Sequence, residues 1–423
     1  MFRGEPLAFW TIISGFVVFL VVQLFGLAIV GVFNVDWHFI TQSHFFLAFL
    51  GWLGLVVMGA QLQFYRAITG VRKFEPEYLR WAFLGSVLIG LILMVYGDSF
   101  DSRFILILGF VFYGIGVGIH LYWTVSRVQS KYFKFPLDYF LASQIYFVIG
   151  LSALFWKLIS SDRVLVSDIL GIRHIFLFGW ISLTLQGALI RIMPMFLGKN
   201  IDRPSRKYLP LHFWFSSISS GLFIIAFISD NINLIRPFST FWLISWIWTF
   251  VILAKSIKFS NLEYKETLLF FVPGMIYLSA GALIGFYMVE QTGAIDRGIR
   301  DLHIHLSLVA GLSLIMLGAI HRITAFQLYT ILYTGKRDSN VSLKDFLYLK
   351  YVRFVAIILN IGVIYFSFEM YKQNYTQLKY AGMTVVLGTL LYSGMIVLNC
   401  FKYFKEKKNA IPFWLKSTEA KSE

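Results

Sequence analysis

Charged residues and cysteines are scarce in this chain, and each scarcity excludes a class of protein. Charged residues make up 14% of the 423 residues, while 58% are hydrophobic and 18% are aromatic. Such a composition is too apolar for a soluble domain and is typical of a membrane protein with many spans. No hydrophilic stretch is long enough to fold separately, so residues 1–423 are predicted to form a single integral membrane domain.

Cys400 is the one cysteine of the chain. A disulfide within the chain is therefore excluded, and the Cys-x-x-Cys-His sequence that attaches haem covalently is lacking as well. The start of the chain does not resemble a cleaved signal peptide, because the first apolar run is long enough to remain a membrane span.

Twelve apolar runs are each long enough to cross a bilayer as a helix. The sequence therefore predicts an all-α fold, a polytopic membrane bundle of 12 transmembrane helices. The predicted extents are 8–33, 39–65, 80–97, 103–125, 137–159, 172–197, 208–228, 236–255, 267–290, 302–329, 348–368 and 379–401.

Basic residues are unevenly distributed between the two sets of connecting segments. Because cytoplasmic loops carry the excess of Lys and Arg, both termini are predicted to be cytoplasmic, in a multi-pass protein of the cell inner membrane. The net charge of +15 then favours anionic lipid headgroups, and not nucleic acid, as partners. The segments after even-numbered helices hold Arg66, Arg72, Lys73, Arg80, Arg127, Lys131, Lys134, Lys199, Arg203, Arg206, Lys207, Lys255, Lys258, Lys265, Lys336 and Arg337. The segments after odd-numbered helices hold Arg103, Lys157, Arg163, Arg173, Arg236, Arg297, Arg300, Lys372 and Lys379.

Three Gly-Ala pairs recur along the chain with nearly constant spacing. The pairs Gly59-Ala60, Gly187-Ala188 and Gly318-Ala319 are 128 and 131 residues apart (187 minus 59, 318 minus 187). Twelve helices in three units give four helices per unit, and an even number means that every unit enters the membrane in the same direction. Three parallel four-helix repeats are therefore predicted. They cover roughly 1–130, 131–260 and 261–401, with a basic cytoplasmic tail at 402–423.

Four histidines precede these pairs at matching distances. His44 and His303 lie fifteen residues before their glycines, and His174 and His305 lie thirteen before theirs. Helices two, six and ten all run inward, so the four side chains share one depth in the outer part of the bilayer. Imidazole is costly in lipid and is the commonest metal ligand, which indicates metal or haem binding. The alternative is structural, with histidines that bridge helices by hydrogen bonds.

The spacing within the third cluster restricts how a cofactor could bind. Residues two apart on a helix are about 200° apart around its axis, so His303 and His305 point to nearly opposite sides. Two planar cofactors could each take one histidine, whereas a single metal ion could not easily use both. His44 could complete a six-coordinate iron with one of them, which would leave the other iron an open position for a gas.

This constellation resembles subunit I of the haem–copper oxidase and nitric-oxide reductase superfamily. The shared features are twelve helices with threefold pseudosymmetry, a histidine early in helix two, one in helix six and His-x-His in helix ten. The resemblance implies that His44 and His305 ligate a low-spin haem and that His303 holds a high-spin haem. It also implies a copper ligand at His174, and one or two haem b as cofactors.

The sequence departs from that superfamily where its copper would bind. Two adjacent histidines are expected on helix seven, but this helix holds only His212, near its cytoplasmic start. The tyrosine expected four residues after the histidine of helix six is Phe178. A complete copper site is therefore not expected, and this chain looks like a divergent cytochrome c oxidase subunit I-like member without the helix-seven histidine pair.

Two arginines flank the predicted site on its outer edge. Arg173 precedes His174, and Arg300 lies one turn before His303. Arginine can pair with carboxylates through two hydrogen bonds, so both are candidate anchors for haem propionates. The alternative is a solvated interfacial charge, with Asp301 or Asp168 near enough to pair. At the inner end of helix ten, His321 and Arg322 are expected to extend to the cytoplasmic headgroups.

The leading functional hypothesis is a haem-b-binding membrane protein that handles electrons or a diatomic gas, O2 or NO, near the outer side of the membrane. Its expected partners are haem, the gas, and a redox partner subunit or cytochrome c. The sequence leaves open whether it is an oxidoreductase, a sensor or a structural subunit. One alternative is a haem-free twelve-helix transporter, which a lack of buried carboxylates in the spans disfavours. The other is a non-catalytic assembly subunit of a respiratory complex.

Overall fold

The computed structural model is built from helices throughout the part of the chain that it describes. Twelve helices are long and apolar enough to cross a membrane, which confirms the predicted all-α bundle. Residues described are 6–33, 38–69, 77–128, 135–160, 170–196, 207–229, 231–256, 265–291, 295–333 and 342–409. Eleven of the 25 loop cations and residues 410–423 of the predicted tail lie outside these ranges.

Nine of the twelve spans are unbroken α-helices, and three contain a π-helical segment. The unbroken helices are α1 (Pro6–Ile29), α3 (Glu77–Ser99), α4 (Arg103–Val128), α5 (Leu137–Ser160), α7 (Leu209–Ile228), α8 (Ile232–Ser256), α9 (Leu268–Glu290), α11 (Leu349–Tyr371) and α12 (Tyr375–Asn409). The others are α2 (His38–Phe46, π Leu47–Leu53, Gly54–Thr69), α6 (Leu170–His174, π Ile175–Ile181, Ser182–Phe196) and α10 (Arg297–His305, π Leu306–Leu312, Ser313–Tyr333).

Helix ends are set by local capping where the site is built. Asp296 precedes α10, and its carboxylate accepts a hydrogen bond from the Ile299 amide at 3.1 Å. An aspartate at this position satisfies one of the amides that the first helical turn leaves without a partner. Asp296 lies only seven residues before His303, so this cap fixes the helical turns that carry His303. Two residues after the end of α1, Gly31 adopts φ of +77°, a conformation that glycine accommodates without steric cost.

Helix contacts repeat in groups of four. The first two helices of each group pack together (α1 with α2, α5 with α6, α9 with α10), and so do the last two (α3 with α4, α7 with α8, α11 with α12). Successive groups meet through α4 with α5 and α8 with α9, and α12 returns to pack on α1. The twelve helices therefore close into a ring.

The second helix of each group lies in the interior. In the most apolar part of each span, the share of buried residues is 89% in α2, 72% in α6 and 56% in α10. It is 44% or less in each of the other nine spans. Lipid-facing helices expose one apolar side, whereas these three are enclosed by their neighbours. The histidine-bearing helices are thus the core of the bundle.

The three π-helical segments occur at matching positions in α2, α6 and α10. A glycine in each segment lies where the preceding helix comes closest: an added Cβ would lie 2.5 Å from Val18 at Gly51, 2.3 Å from Tyr146 at Gly179 and 2.9 Å from Leu278 at Gly311. Only glycine permits that approach. Such π-helical turns often mark functional sites, and here each begins within three residues after a histidine.

A tryptophan follows the glycine in the first two segments, and its environment is repeated. The Trp52 ring stacks on Phe19 of α1 with centroids 4.2 Å apart, and the Trp180 ring stacks on Phe147 of α5 at 4.1 Å. Trp52 Nε1 also donates to Ser313 Oγ of α10 at 3.3 Å. In α2 and in α6, the same aromatic contact therefore holds an interior helix to the helix that precedes it.

Candidate functional site

His44 lies in the last α-helical turn of α2 before its π segment. Its half-buried ring lies beside the Val22 carbonyl and 3.6 Å from where a Cβ at Gly26 would be, both on α1. No atom lies in hydrogen-bonding geometry with its Nδ1. The imidazole is also close enough to that of His305 on α10 to interact electrostatically. Two of the predicted histidines, on different helices, are therefore within electrostatic range of each other.

Backbone carbonyls hold both histidines of α10. His303 Nδ1 lies 2.7 Å from the Gly281 carbonyl oxygen of α9, and His305 Nδ1 lies 2.8 Å from the Asp301 carbonyl oxygen. A carbonyl can only accept, so each Nδ1 must carry the proton and donate it. Each Nε2 then presents a lone pair, which is the arrangement found in histidines that ligate metals.

The two rings contact different neighbours of α10. The His303 ring packs against Gly285 of α9, where an added Cβ would lie 2.6 Å from its Cε1. The His305 ring lies 5.4 Å, between centroids, from Phe366 of α11. The His303 ring therefore lies next to α9, and the His305 ring lies next to α11.

His174 is enclosed by aromatic rings of its own helix and of α7. Its imidazole stacks on Phe227, with centroids 3.8 Å apart, and lies 5.0 Å from Phe178. Among the described residues, no group of three His, Cys, Asp or Glu side chains is arranged to hold a metal ion. The α7 side chain that stacks on His174 is thus Phe227, which cannot ligate a metal.

Arg173 and Arg300 differ in their surroundings. The Arg173 guanidinium lies 4.7 Å from the centre of the Phe45 ring, next to His44, and its buried Nε has no hydrogen-bond partner. Arg300 is exposed and pairs with Asp301 at 3.4 Å. Asp301 is the residue whose carbonyl accepts from His305, so this ion pair lies directly outside the candidate site.

Two carboxylates near the site were missed by the sequence analysis. Ser43 Oγ donates to Asp98 Oδ2 of α3 at 2.5 Å, beside His44. Glu369 of α11 is 7% exposed, and its Oε2 is buried without a hydrogen-bond partner. The expectation that the spans lack buried carboxylates was therefore wrong. Both residues lie at span ends that the apolar runs placed one to three residues too early.

Three further histidines, His120, His212 and His321, are buried and contact neighbouring helices and segments. His212 contacts Tyr139 Oη through Nδ1, and its Nε2 lies 3.2 Å from the Ser245 carbonyl. His120 Nε2 lies 3.3 Å from the Met58 carbonyl. His321 Nε2 lies 2.9 Å from the Leu347 carbonyl.

Arg322 corrects a prediction. It is 5% exposed and His321 is fully buried, so neither extends to the headgroups as expected. The segment Leu343–Phe346 packs against the last part of α10, and the carbonyl of Leu347, the next residue, lies beside the His321 ring.

Solved structures match most of this chain. Neither the protein-family models nor the curated proteins include a match to this chain. A haem–copper terminal oxidase dimer solved by cryo-electron microscopy superposes with a TM-score of 0.61 at 14% sequence identity, covering 94% of this chain and 82% of that one. The chain has a haem–copper oxidase subunit I-like fold. The predicted resemblance is thereby confirmed at the level of this oxidase-like fold.

Proposed function

We propose that this chain is a haem-b-binding integral membrane protein that handles electrons or a diatomic gas near the outer side of the membrane. The observation that carries the proposal is that His44 and His305, on different helices of the oxidase-like fold, are near enough for their imidazoles to interact electrostatically. Ionisable side chains inside a membrane are costly and usually mark a functional site.

The side chains present fit an iron porphyrin. His305 offers the Nε2 lone pair because its Nδ1 donates to Asp301, and His44 has a ring nitrogen without a hydrogen-bond partner. These two imidazoles would hold a low-spin haem, which supplies reversible one-electron transfer when it is bound. The buried Nε of Arg173 beside Phe45 suits a haem propionate, and Arg300 is the outer candidate for the second one.

The register of the repeats supports a second haem at His303. His44 and His303 both lie three residues before their π segments, and His174 and His305 both lie one residue before theirs. His44, three residues before the π segment of α2, is proposed to pair with His305, one residue before the π segment of α10. The rotation that relates the three repeats then pairs His303 of α10 with His174 of α6. By this relation His303, whose Nδ1 is fixed by the Gly281 carbonyl, would hold the second haem, and His174 would lie next to a bound gas.

The third interface of the pseudosymmetric ring has no histidine to offer. This is the interface between α6 and α2, where the corresponding positions hold Ile172 and Phe46. The Arg173 guanidinium lies over the Phe45 ring at the same interface. Two haem sites, and not three, are therefore proposed. His174 faces this chain's phenylalanines and no second histidine, so copper forms no part of the proposal.

The proposal includes a place in the cell and a redox partner. We infer one membrane domain of three parallel four-helix units in the cytoplasmic membrane, with both termini inside and the histidines at the outer end. An electron donor would be a partner subunit or a soluble carrier such as cytochrome c, because the chain has no separate hydrophilic domain of its own.

The optical spectrum of the purified protein, expressed with haem supplied, tests the proposal. A Soret band is expected in the wild type, with a low-spin signal lost in His44→Ala and His305→Ala. His303→Ala should abolish carbon monoxide binding and keep the low-spin signal, whereas His212→Ala, with a histidine in the inner half, should keep both. A folded protein without a Soret band overturns the proposal. Substrate uptake into vesicles would then indicate a transporter, and copurification with a respiratory complex would indicate an assembly subunit.

A further inference from the structure

A cavity of about 50 Å³ lies where α2, α6 and α10 converge, inward of the histidines. Its wall includes Ala60 of α2, Ala188 of α6 and Ala319 of α10. These are the alanines of the three Gly-Ala pairs, so each repeat contributes the same small residue to one space. The proposed haem sites use none of them.

Each Gly-Ala pair does two different things on adjacent faces of its helix. The glycine allows the preceding helix to come close: an added Cβ would lie 2.7 Å from Ile12 at Gly59, 2.6 Å from Tyr139 at Gly187 and 3.0 Å from Phe270 at Gly318. The next residue is about 100° further around the helix and faces the centre of the bundle. There, the single methyl group of alanine leaves space that a larger side chain would fill.

The cavity is apolar, which decides what it can hold. Its accessible surface comes from apolar atoms. Two polar residues stand in the wall, but they are already bonded: Gln61 Nε2 donates to Thr184 Oγ1 at 3.3 Å, and Gln61 Oε1 accepts from Gln144. A buried water needs about two to four polar partners, and cavities that lack them stay dry.

We infer that this axial cavity is a binding site for one small apolar gas molecule, of the size class of O2 or NO. A volume of about 50 Å³ has room for roughly three to five water-sized spheres, enough for a diatomic molecule or a xenon atom. It is far below the roughly 300 Å³ at which pockets for larger organic ligands begin.

The cavity is distinct from the proposed irons. Ile315, the residue of its wall on α10 that is nearest in sequence to His305, follows that histidine by ten residues (315 minus 305), which corresponds to about 15 Å along a helix. A gas held there would be stored in the inner half of the bundle, away from either haem. The inference therefore stands on the cavity itself and does not depend on haem binding.

Xenon under pressure is the probe, located by its anomalous scattering in crystals of the full-length protein. One xenon site is expected in the wild-type cavity, lost in Ala319→Leu, because the added carbons occupy the space. Met316→Ala, which enlarges the same wall, should raise the xenon occupancy. Ala82→Leu makes the same change at an exposed position of α3 and should leave the site unaltered.

Three results would overturn the inference: no xenon in the wild-type cavity, ordered water in its place, or xenon that persists in Ala319→Leu. If Ala319→Leu does not fold, Ala188→Val and Met316→Ala answer the same question in opposite directions. Haem content measured on the same preparations separates the two proposals. Xenon binding without a Soret band would remove the haem sites and keep the gas cavity, and the reverse result would do the opposite.

Discussion

A histidine ligates iron through one ring nitrogen, and the other nitrogen decides which way the ring faces. For His303 that second contact is the Gly281 carbonyl, and the ring reaches it only because Gly285 has no side chain. The hydrogen bond and the missing Cβ together define where Nε2 can point. A single methyl group at position 285 is therefore a sensitive probe of the second haem site.

Gly285→Ala is predicted to weaken carbon monoxide binding at the His303 iron. The new Cβ would lie 2.6 Å from the imidazole, and such overpacking costs about 1–3 kcal/mol, or roughly 5- to 100-fold in affinity. Carbon monoxide titration of the reduced protein measures it. Gly26→Ala is the matched control, since its Cβ would lie 3.6 Å from His44, an ordinary contact. Equal affinities in both variants would refute the assigned role of the His303 ring.

Arg173→Gln is predicted to lower the midpoint potential of the low-spin haem. A cation next to the cofactor stabilises the electron that reduction adds, and hydrogen bonds to propionates contribute in the same direction. Redox titration followed optically gives the potential. Arg300→Gln serves as the comparison and should lower the potential less, because Arg300 is exposed and already paired with Asp301. An unchanged potential in Arg173→Gln would assign that arginine to packing against Phe45.

At the scale of helices, the three π segments are the feature that the sequence did not predict. The apolar runs located all twelve spans, most ends within a few residues, because bilayer thickness sets a length that composition reveals. A π segment needs one extra residue in a helix that is apolar on every side, and hydrophobic periodicity cannot register that. The one visible trace is the shared glycine of Gly51-Trp52 and Gly179-Trp180.

Insertion of one alanine after Ala48, in the π segment of α2, is predicted to abolish the low-spin signal. The segment already holds one residue more than an α-helix would, so a further residue rotates His44 by about 100° relative to the part of α2 that follows the segment. The same insertion after Leu177, in the π segment of α6, is the control, because neither proposed ligand of the low-spin haem lies on α6. Thermal unfolding checks that both variants are folded. Retention of the signal in a folded Ala48 insertion variant would contradict a positioning role for this segment.

The candidate site was only partly predictable for a related reason. The matching offsets of His44, His174, His303 and His305 from their Gly-Ala pairs indicated a shared depth, and the structure places His44 and His305 within electrostatic range of each other. Tautomers, in contrast, depend on which carbonyl lies 2.7 or 2.8 Å from a ring nitrogen, which no spacing reveals. Burial of Glu369 and Arg322 depends on chain segments that are far away in sequence.

At the scale of the whole molecule, the direction in which the helices cross the membrane decides on which side each connecting segment lies. With both termini inside, as proposed, Gln291 after α9 would face outward and Lys344 before α11 would face the cytoplasm. In a Cys400→Ser background, which has no other cysteine, Gln291→Cys should react with a membrane-impermeant thiol reagent in intact cells. Lys344→Cys should react only after permeabilisation, because both positions are exposed to water but on opposite sides. The reverse labelling pattern would invert the orientation and place the histidines near the cytoplasm.

Whether His44 and His305 hold one iron between them is tested most directly by electron paramagnetic resonance of the oxidised protein, with His44→Gly and added imidazole. The wild type is predicted to show the low-spin ferric signal of two imidazole ligands. His44→Gly should lose that signal, and free imidazole should restore it by entering the space next to Gly26. A low-spin signal that survives unchanged in His44→Gly would show that the iron is held elsewhere.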